Sequence, residues 1–135
     1  MINTNITIIS RYVSYYNDRV YASGPNDVST YGIPDQMRTF DAVSTWTGNR
    51  KTYFFKGAYY WRFNEDYRRM DYGYPRTIQR NWRGLPNDIG AAFIAPNQFL
   101  YFVKDGLIYK MEYHRAVVRY RYPKRLYDSC YEFFL

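Results

Sequence analysis

Two side chains of this sequence, His114 and Cys130, are of the types that act as base and nucleophile in covalent catalysis. Each is the single residue of its type in the chain. Their spacing does not support such a pair, and single residues supply neither a histidine-rich metal site nor a disulfide within the chain. The sequence therefore predicts that the protein is not an enzyme and requires no cofactor.

A second group of candidate functional residues is basic. The net charge is +7, and the densest basic run contains Arg115, Arg119, Arg121, Lys124 and Arg125. Two interpretations remain open: a solvated strand and turn, or a surface that attracts nucleic acid, anionic lipid or an acidic protein. Tyrosines interleave with arginines at 67–69 and 120–122, as on base-stacking platforms. Aromatic residues on alternate strand positions are, however, explained by a hydrophobic core.

The elements that must position these residues repeat along the chain. Residues 53–63 and 101–111 share the order of aromatic residues, turn and basic residue, 48 positions apart. In three places a tyrosine precedes a proline by 22 residues: Tyr12 to Pro34, Tyr53 to Pro75, and Tyr101 to Pro123. Three copies therefore cover residues 2–36, 40–86 and 88–123 approximately.

Each copy is predicted to contain a hairpin of half-buried strands. In the middle copy Tyr59, Trp61 and Phe63 recur at every second position, which is the period of a strand with one buried face. In the third copy Asp105 and Gly106 form a strong hairpin-turn signal. One short helix is predicted at 77–82, after Pro75.

Small residues begin the predicted inner strands at 41–46 and 90–94, which indicates crowding at the axis of a radial assembly. A repeated unit of about four short strands led by such an inner strand is what a propeller blade requires. The 18 Tyr, 9 Phe and 3 Trp suit strands and would fill the wedges between blades. The predicted fold is an all-β propeller with about three blade-like repeats, in one domain spanning 1–135.

The pattern resembles the hemopexin-like repeat. The resemblance is specific over residues 41–93, looser over 98–123 and faint over 6–34. It is carried by residues 41–42, 51–57, 60–63, 73–76, Ile78, 82–86 and 89–93. The family forms four-bladed propellers, usually in secreted or extracellular proteins. Its members bind matrix components, protease substrates and inhibitors, haem or, in some plant seed proteins, polyamines.

The resemblance also implies a cation site. The innermost strands of the family often present backbone carbonyls to cations in the central channel. The positions that match those strand starts are Asp41, Gly90 and Asp128. Carbonyl oxygens suit calcium or sodium, and the alternative is an empty or water-filled channel.

The sequence departs from the family in two ways that concern closure of the ring. The family joins its first and last blades through a disulfide, which one cysteine excludes, and needs about four copies where this chain holds about three. Residues 127–134 are therefore interpreted as a closing strand that supplies an inner strand for the first copy. In the alternative interpretation, the ring is open and another subunit covers the exposed blade face.

These observations predict a non-enzymatic structural or protein–protein interaction module, assembled with other protein subunits in a larger particle such as a virion. One alternative is a soluble propeller that holds a cation or small polyamine in its channel. Another is a basic protein that associates with nucleic acid. Residues 1–5 lack a signal-peptide pattern and no segment is long enough to span a membrane. The predicted location is intracellular or within an assembled particle.

Overall fold

The computed structural model describes residues 40–46, 48–112 and 115–134, together with the backbone of four strands within the first 27 residues. These four strands form the first sheet, with the order β1-β2-β3 and with β4 also pairing with β2. Their bounds are β1 (Asn3–Ile8), β2 (Arg11–Tyr16), β3 (Arg19–Val20) and β4 (Asn26–Asp27).

The second sheet is built by the middle repeat. It has the order β5-β6-β7-β8, and β9 also pairs with β7. Its strands are β5 (Ala42–Trp46), β6 (Lys51–Lys56), β7 (Tyr59–Asn64), β8 (Arg69–Met70) and β9 (Arg76–Thr77). The predicted helix follows as α1 (Ile78–Asn81), whose first N–H bonds the Ala58 carbonyl at 2.9 Å.

The third sheet has the order β10-β11-β12-β13. Its strands are β10 (Ala91–Ile94), β11 (Leu100–Lys104), β12 (Leu107–Lys110) and β13 (Lys124–Arg125). The β11–β12 turn has positive φ at both Asp105 (49°) and Gly106 (74°), as a two-residue type I′ hairpin requires.

The second and third sheets are copies of one unit. Lys56 pairs with Tyr59 at the β6–β7 turn, and Lys104 pairs with Leu107 at the β11–β12 turn, 48 positions further on. The inner strands β1, β5 and β10 lie side by side, as the innermost strands of neighbouring blades do. The prediction of a mostly β, propeller-type fold with about three blade-like repeats is confirmed.

The main hydrophobic core lies between the second and third sheets. Phe55 is fully buried there, 5.0 Å from Phe102 and 5.3 Å from Trp82, measured between ring centroids. A smaller cluster containing Phe54 and Trp61 covers the opposite face of the second sheet. A third cluster, containing Tyr101 and Ile108, covers the opposite face of the third sheet.

The last cluster is closed by the C-terminal cap, which consists of two 3-10 helices, Leu126–Asp128 and Cys130–Phe134. The predicted closing strand at 127–134 is therefore wrong. The N–H groups of Ser129 and Glu132 donate to carbonyls three residues earlier, at 3.0 and 3.1 Å, so they are not available to a sheet. The ring of Phe133 instead packs edge-on against Tyr101, 5.0 Å away.

Candidate functional site

The second and third sheets share one polar frame at the start of their hairpins. Asn49 Nδ2 donates to the Tyr53 hydroxyl at 2.8 Å, and Asn97 Nδ2 donates to the Tyr101 hydroxyl at the same distance. Each asparagine also accepts a backbone N–H from two residues further on, at 3.0 and 3.1 Å. The frame holds the entrance to each hairpin in the same geometry, so differences between the sheets come from other side chains.

The second sheet balances its charges internally. Asp71 accepts hydrogen bonds from Lys51 Nζ at 2.8 Å and from Arg62 Nε at 2.6 Å, and all three side chains are at least partly buried. Burial alone would raise the pKa of Asp71, but the hydrogen bonds and charges of the two cations lower that pKa below its ordinary value. Burial alone would lower the pKa of Arg62, and its pairing with Asp71 raises it instead.

The third sheet replaces this network with an aromatic contact. The three positions 48 residues further on hold Phe99, Lys110 and Arg119. Lys110 Nζ lies 4.2 Å from the centroid of the Phe99 ring, and the Arg119 guanidinium lies 5.3 Å from it. One ring therefore contacts two cations, and no carboxylate replaces Asp71 at its own position.

The carboxylate of the third sheet comes from the C-terminal cap. Glu132 Oε2 lies 3.6 Å from Lys110 Nζ and accepts hydrogen bonds from the hydroxyls of Tyr101, at 3.3 Å, and Tyr122, at 2.5 Å. Burial, followed by the hydrogen bond to Glu132 and its charge, raises the pKa of Tyr122. The negative charge therefore sits in the cap instead of on the outer strands.

The consequence is an exposed surface, here called the basic rim, along the outer edge of the third sheet. Its six residues are Arg119, Tyr120, Arg121, Lys124, Arg125 and Tyr127, and all are exposed. Tyr120 and Tyr127 expose 84% and 94% of their surface. Its ion pair among the described residues is between Arg125 and Asp128, at 3.3 Å and largely in solvent, where such a pair contributes little.

Four of the five basic residues singled out in the sequence thus follow one another along this rim. Arg115 does not lie there: it borders a cleft between the second and third sheets. Phe99 and Glu132 were missed by sequence reasoning. Alignment of the repeats 48 residues apart shows Arg119 at the position of Asp71, and this reversal of charge was the available signal.

Of the three residues predicted to start inner strands, two lie at the head of such a strand and the third does not. Asp41 and Gly90 are equivalent, since their N–H groups donate to Phe55 and Val103 carbonyls at 2.9 Å, each at the head of an inner strand. The Asp41 carboxylate accepts the Gly57 N–H at 2.7 Å. Asp128 lies in a 3-10 helix, so its predicted position at the start of a strand is wrong.

In the part of the chain that the structure describes, no three His, Cys, Asp or Glu side chains gather as a metal site. His114 lies outside the described residues.

This architecture matches that of a known protein family. The sequence profile of the Hemopexin family matches residues 40–87, the repeat that builds the second sheet. This chain belongs to the hemopexin-like repeat family. Its hemopexin-like sequence is 37% identical over 121 residues to matrix metalloproteinase-21 of Cynops pyrrhogaster, covering 84% of this chain and 19% of that protein. It is 37% identical over 89 residues to stromelysin-3 of Xenopus laevis, covering 64% of this chain and 18% of that one.

Solved structures show the same hemopexin fold at lower identity. A seed albumin from Lathyrus sativus superposes with a TM-score of 0.76 at 16% identity, covering 99% of this chain and 68% of that one. A hemopexin fold protein from cow pea superposes with a TM-score of 0.72 at 15% identity, covering 95% and 64%.

The chain spans about a fifth of the length of the metalloproteinases it matches, and it aligns with their hemopexin part. Among the described residues, no helix is both long enough and apolar enough to cross a membrane.

Proposed function

We propose that this hemopexin-like chain is a non-catalytic protein-interaction module whose basic rim binds an acidic surface of a partner protein. The observation that carries the proposal is that Arg119 stands in the third sheet where Asp71 stands in the second. This exchange places a cation where the second sheet has its internal carboxylate. Among the described residues, Asp128 is the carboxylate within ion-pair distance of the rim, and its pair with Arg125 lies largely in solvent.

The chemistry of the rim favours a protein partner. Tyrosine and arginine are enriched in the central, energetically dominant part of protein interfaces, because each buries a large area and offers a directed hydrogen bond. On the rim, the Arg121 guanidinium lies 5.8 Å from the ring centroid of Tyr120. Lys124 Nζ lies 4.6 Å from that of Tyr122. Rings and cations already in contact lose less side-chain entropy when a partner binds.

Charge complementarity indicates that the partner's surface is negatively charged. Unpaired surface cations steer association with acidic surfaces and suppress basic partners. The experiment compares binding of fluorescent polyglutamate with binding of double-stranded DNA at low and moderate salt. We expect polyglutamate to bind and to dissociate as salt rises, since exposed charges are screened over about 8–10 Å at physiological ionic strength.

Matched double variants locate the site. Arg121→Gln with Lys124→Gln should weaken polyglutamate binding roughly five- to tenfold, because two exposed charges are removed. The control, Arg69→Gln with Arg80→Gln, removes two exposed cations of the second sheet and its helix and should leave binding nearly unchanged. Equal weakening by both pairs would contradict the rim as the site. Tighter binding of DNA would favour the nucleic-acid alternative.

The comparisons give no support to the virus-particle role or the intracellular location suggested by the sequence, and both stay predictions. Assembly with other subunits is tested by the native mass of the purified protein. The channel cation, for which Asp41 and Gly90 are the equivalent positions, also stays a prediction. It is tested by a rise in Tm with calcium that a chelator reverses.

A further inference from the structure

A cleft opens between the second and third sheets, and none of the six basic-rim residues lines it. Its volume is about 180 Å³. The segment 116–118 bridges the two sheets beside it, since the Ala116 carbonyl accepts the Arg83 N–H at 2.9 Å and the Val118 N–H donates to the Arg83 carbonyl at 2.8 Å. These bonds hold the two walls together, so the cleft is a feature of the fold.

The aromatic side chains of the lining are buried or half-buried. Tyr53, Tyr60 and Trp82 line the cleft from the second sheet and the segment after α1, and Phe99 lines it from the third sheet. The ring of Trp82 stands perpendicular to that of Tyr53, with centroids 5.2 Å apart. Apolar cavities of roughly 150 Å³ accept a benzene molecule, so this space fits a single aromatic ring.

The charged part of the lining is predominantly cationic. Arg62, Arg76 and Arg115 border the cleft, against the single carboxylate of Glu112. Arg62 is neutralised by Asp71. Within the described residues, no carboxylate lies within ion-pair distance of Arg76 or Arg115. Arg76 Nε donates to the Gly73 carbonyl at 3.3 Å, and its guanidinium lies 4.5 Å from the ring centroid of Tyr74. The remaining N–H groups of Arg76 and those of Arg115 are available to bind a carboxylate.

A buried donor in the wall also lacks an acceptor. Trp82 Nε1 is inaccessible to solvent and has no hydrogen-bond partner among the described residues. Because solvent does not reach this atom, its burial is a cost to the fold, and a molecule in the cleft would meet the ring of Trp82 and not this N–H.

We propose that this cleft binds a small planar aromatic anion, a single six-membered ring carrying a carboxylate. The ring lies against Tyr60 and Trp82, and the carboxylate faces Arg76 and Arg115. This site is separate from the basic rim, and it places a small molecule at the boundary between two blades, where it would hold the second and third sheets together.

The test is a titration with benzoate, followed through the indole N–H signals in an NMR spectrum. Trp46 and Trp82 line the cleft, whereas Trp61 packs on the opposite face of the second sheet and serves as an internal control. We expect the first two signals to shift saturably and the third to stay in place. Shifts of all three signals, or of none at millimolar benzoate, would overturn the proposal.

Related small molecules distinguish the contribution of the charge to binding from that of the ring. Benzylammonium keeps the ring and reverses the charge, and acetate keeps the charge without the ring; neither should bind. Binding of benzylammonium as tight as that of benzoate would refute an anion site. A peptide ending in phenylalanine carries the same ring and carboxylate. If it binds more tightly than benzoate, the natural ligand is a chain end, and if more weakly, a free molecule.

Variants test the two arginines. Arg76→Gln and Arg115→Gln should each raise the Kd for benzoate on the order of tenfold, the effect of one lost charge-assisted hydrogen bond. Arg69→Gln, an exposed arginine away from the cleft, is the matched control and should leave the Kd unchanged. Thermal melts show that each variant is folded. An unchanged Kd in both cleft variants would overturn the assignment of the carboxylate.

Discussion

The second and third sheets have the same strand register and the same asparagine–tyrosine frame, yet they treat charge in opposite ways. In the second sheet Asp71 pairs with two cations at 2.6 and 2.8 Å. In the third, two cations contact the ring of Phe99, and the carboxylate comes from Glu132, outside the repeat. Rings and backbone bonds therefore define the blade, whereas charged positions vary between copies and give each blade its own surface.

The two sheets also differ in how their faces are covered. The second sheet shares its main core with the third, and the far face of the third sheet is covered by the C-terminal cap through Phe133 and Glu132. The cap therefore does two things at once for the third sheet. It buries the face of the sheet that points away from the second sheet, and it supplies the counter-charge that lets the outer strands remain basic.

The largest expected effect comes from removing a ring at the boundary between the two sheets. Phe55→Ala and Phe102→Ala should each lower the free energy of unfolding by about 3–5 kcal/mol, because both rings are fully buried and 5.0 Å apart. Urea denaturation measures the loss. The double variant should cost less than the sum, since both rings contribute to one contact. Separate unfolding transitions for the two sheets would contradict the shared core.

Removing the internal carboxylate should have a smaller effect. Asp71→Asn leaves Lys51 and Arg62 partly buried without their counter-charge and should cost about 2–3 kcal/mol. The matched change in the third sheet, Glu132→Gln, should cost only about 1 kcal/mol, because its nearest cation is 3.6 Å away and a glutamine still accepts the tyrosine hydroxyls. Equal losses in urea denaturation would mean that the two networks are energetically equivalent despite their geometry.

The pH dependence of stability is the smallest expected effect. The pKa of Asp71 is lowered in the folded protein, so the carboxylate stabilises the fold above its unfolded pKa of 3.8. That stabilisation is lost as pH falls through the lower folded value. Urea denaturation between about pH 5 and about pH 2 should therefore show a steeper loss in the wild type than in Asp71→Asn. Identical slopes would exclude Asp71 as the group responsible.

Much of the scaffold was predictable because its signals are local. The two-residue period of Tyr59, Trp61 and Phe63 predicted β7, the Asp105–Gly106 pair predicted the β11–β12 turn, and Pro75 preceded the helix as expected. The cap was not predictable in this way. Its aromatic composition favours a strand, but the N–H groups of Ser129 and Glu132 bond to carbonyls three residues earlier, so they do not extend a sheet.

The repeat, the strand positions, the hemopexin-like family and the basic run could all be predicted, because each depends on residue type and spacing along the chain. Which cations are neutralised depends on the packing of distant segments, since Glu132 reaches Lys110 from 22 positions away and Asp71 reaches Lys51 across β7. The tertiary structure also separated Arg115 from the other four basic residues and placed it at a cleft. Charge pairing and cavities depend on distances between segments, and the linear spacing of residues does not contain those distances.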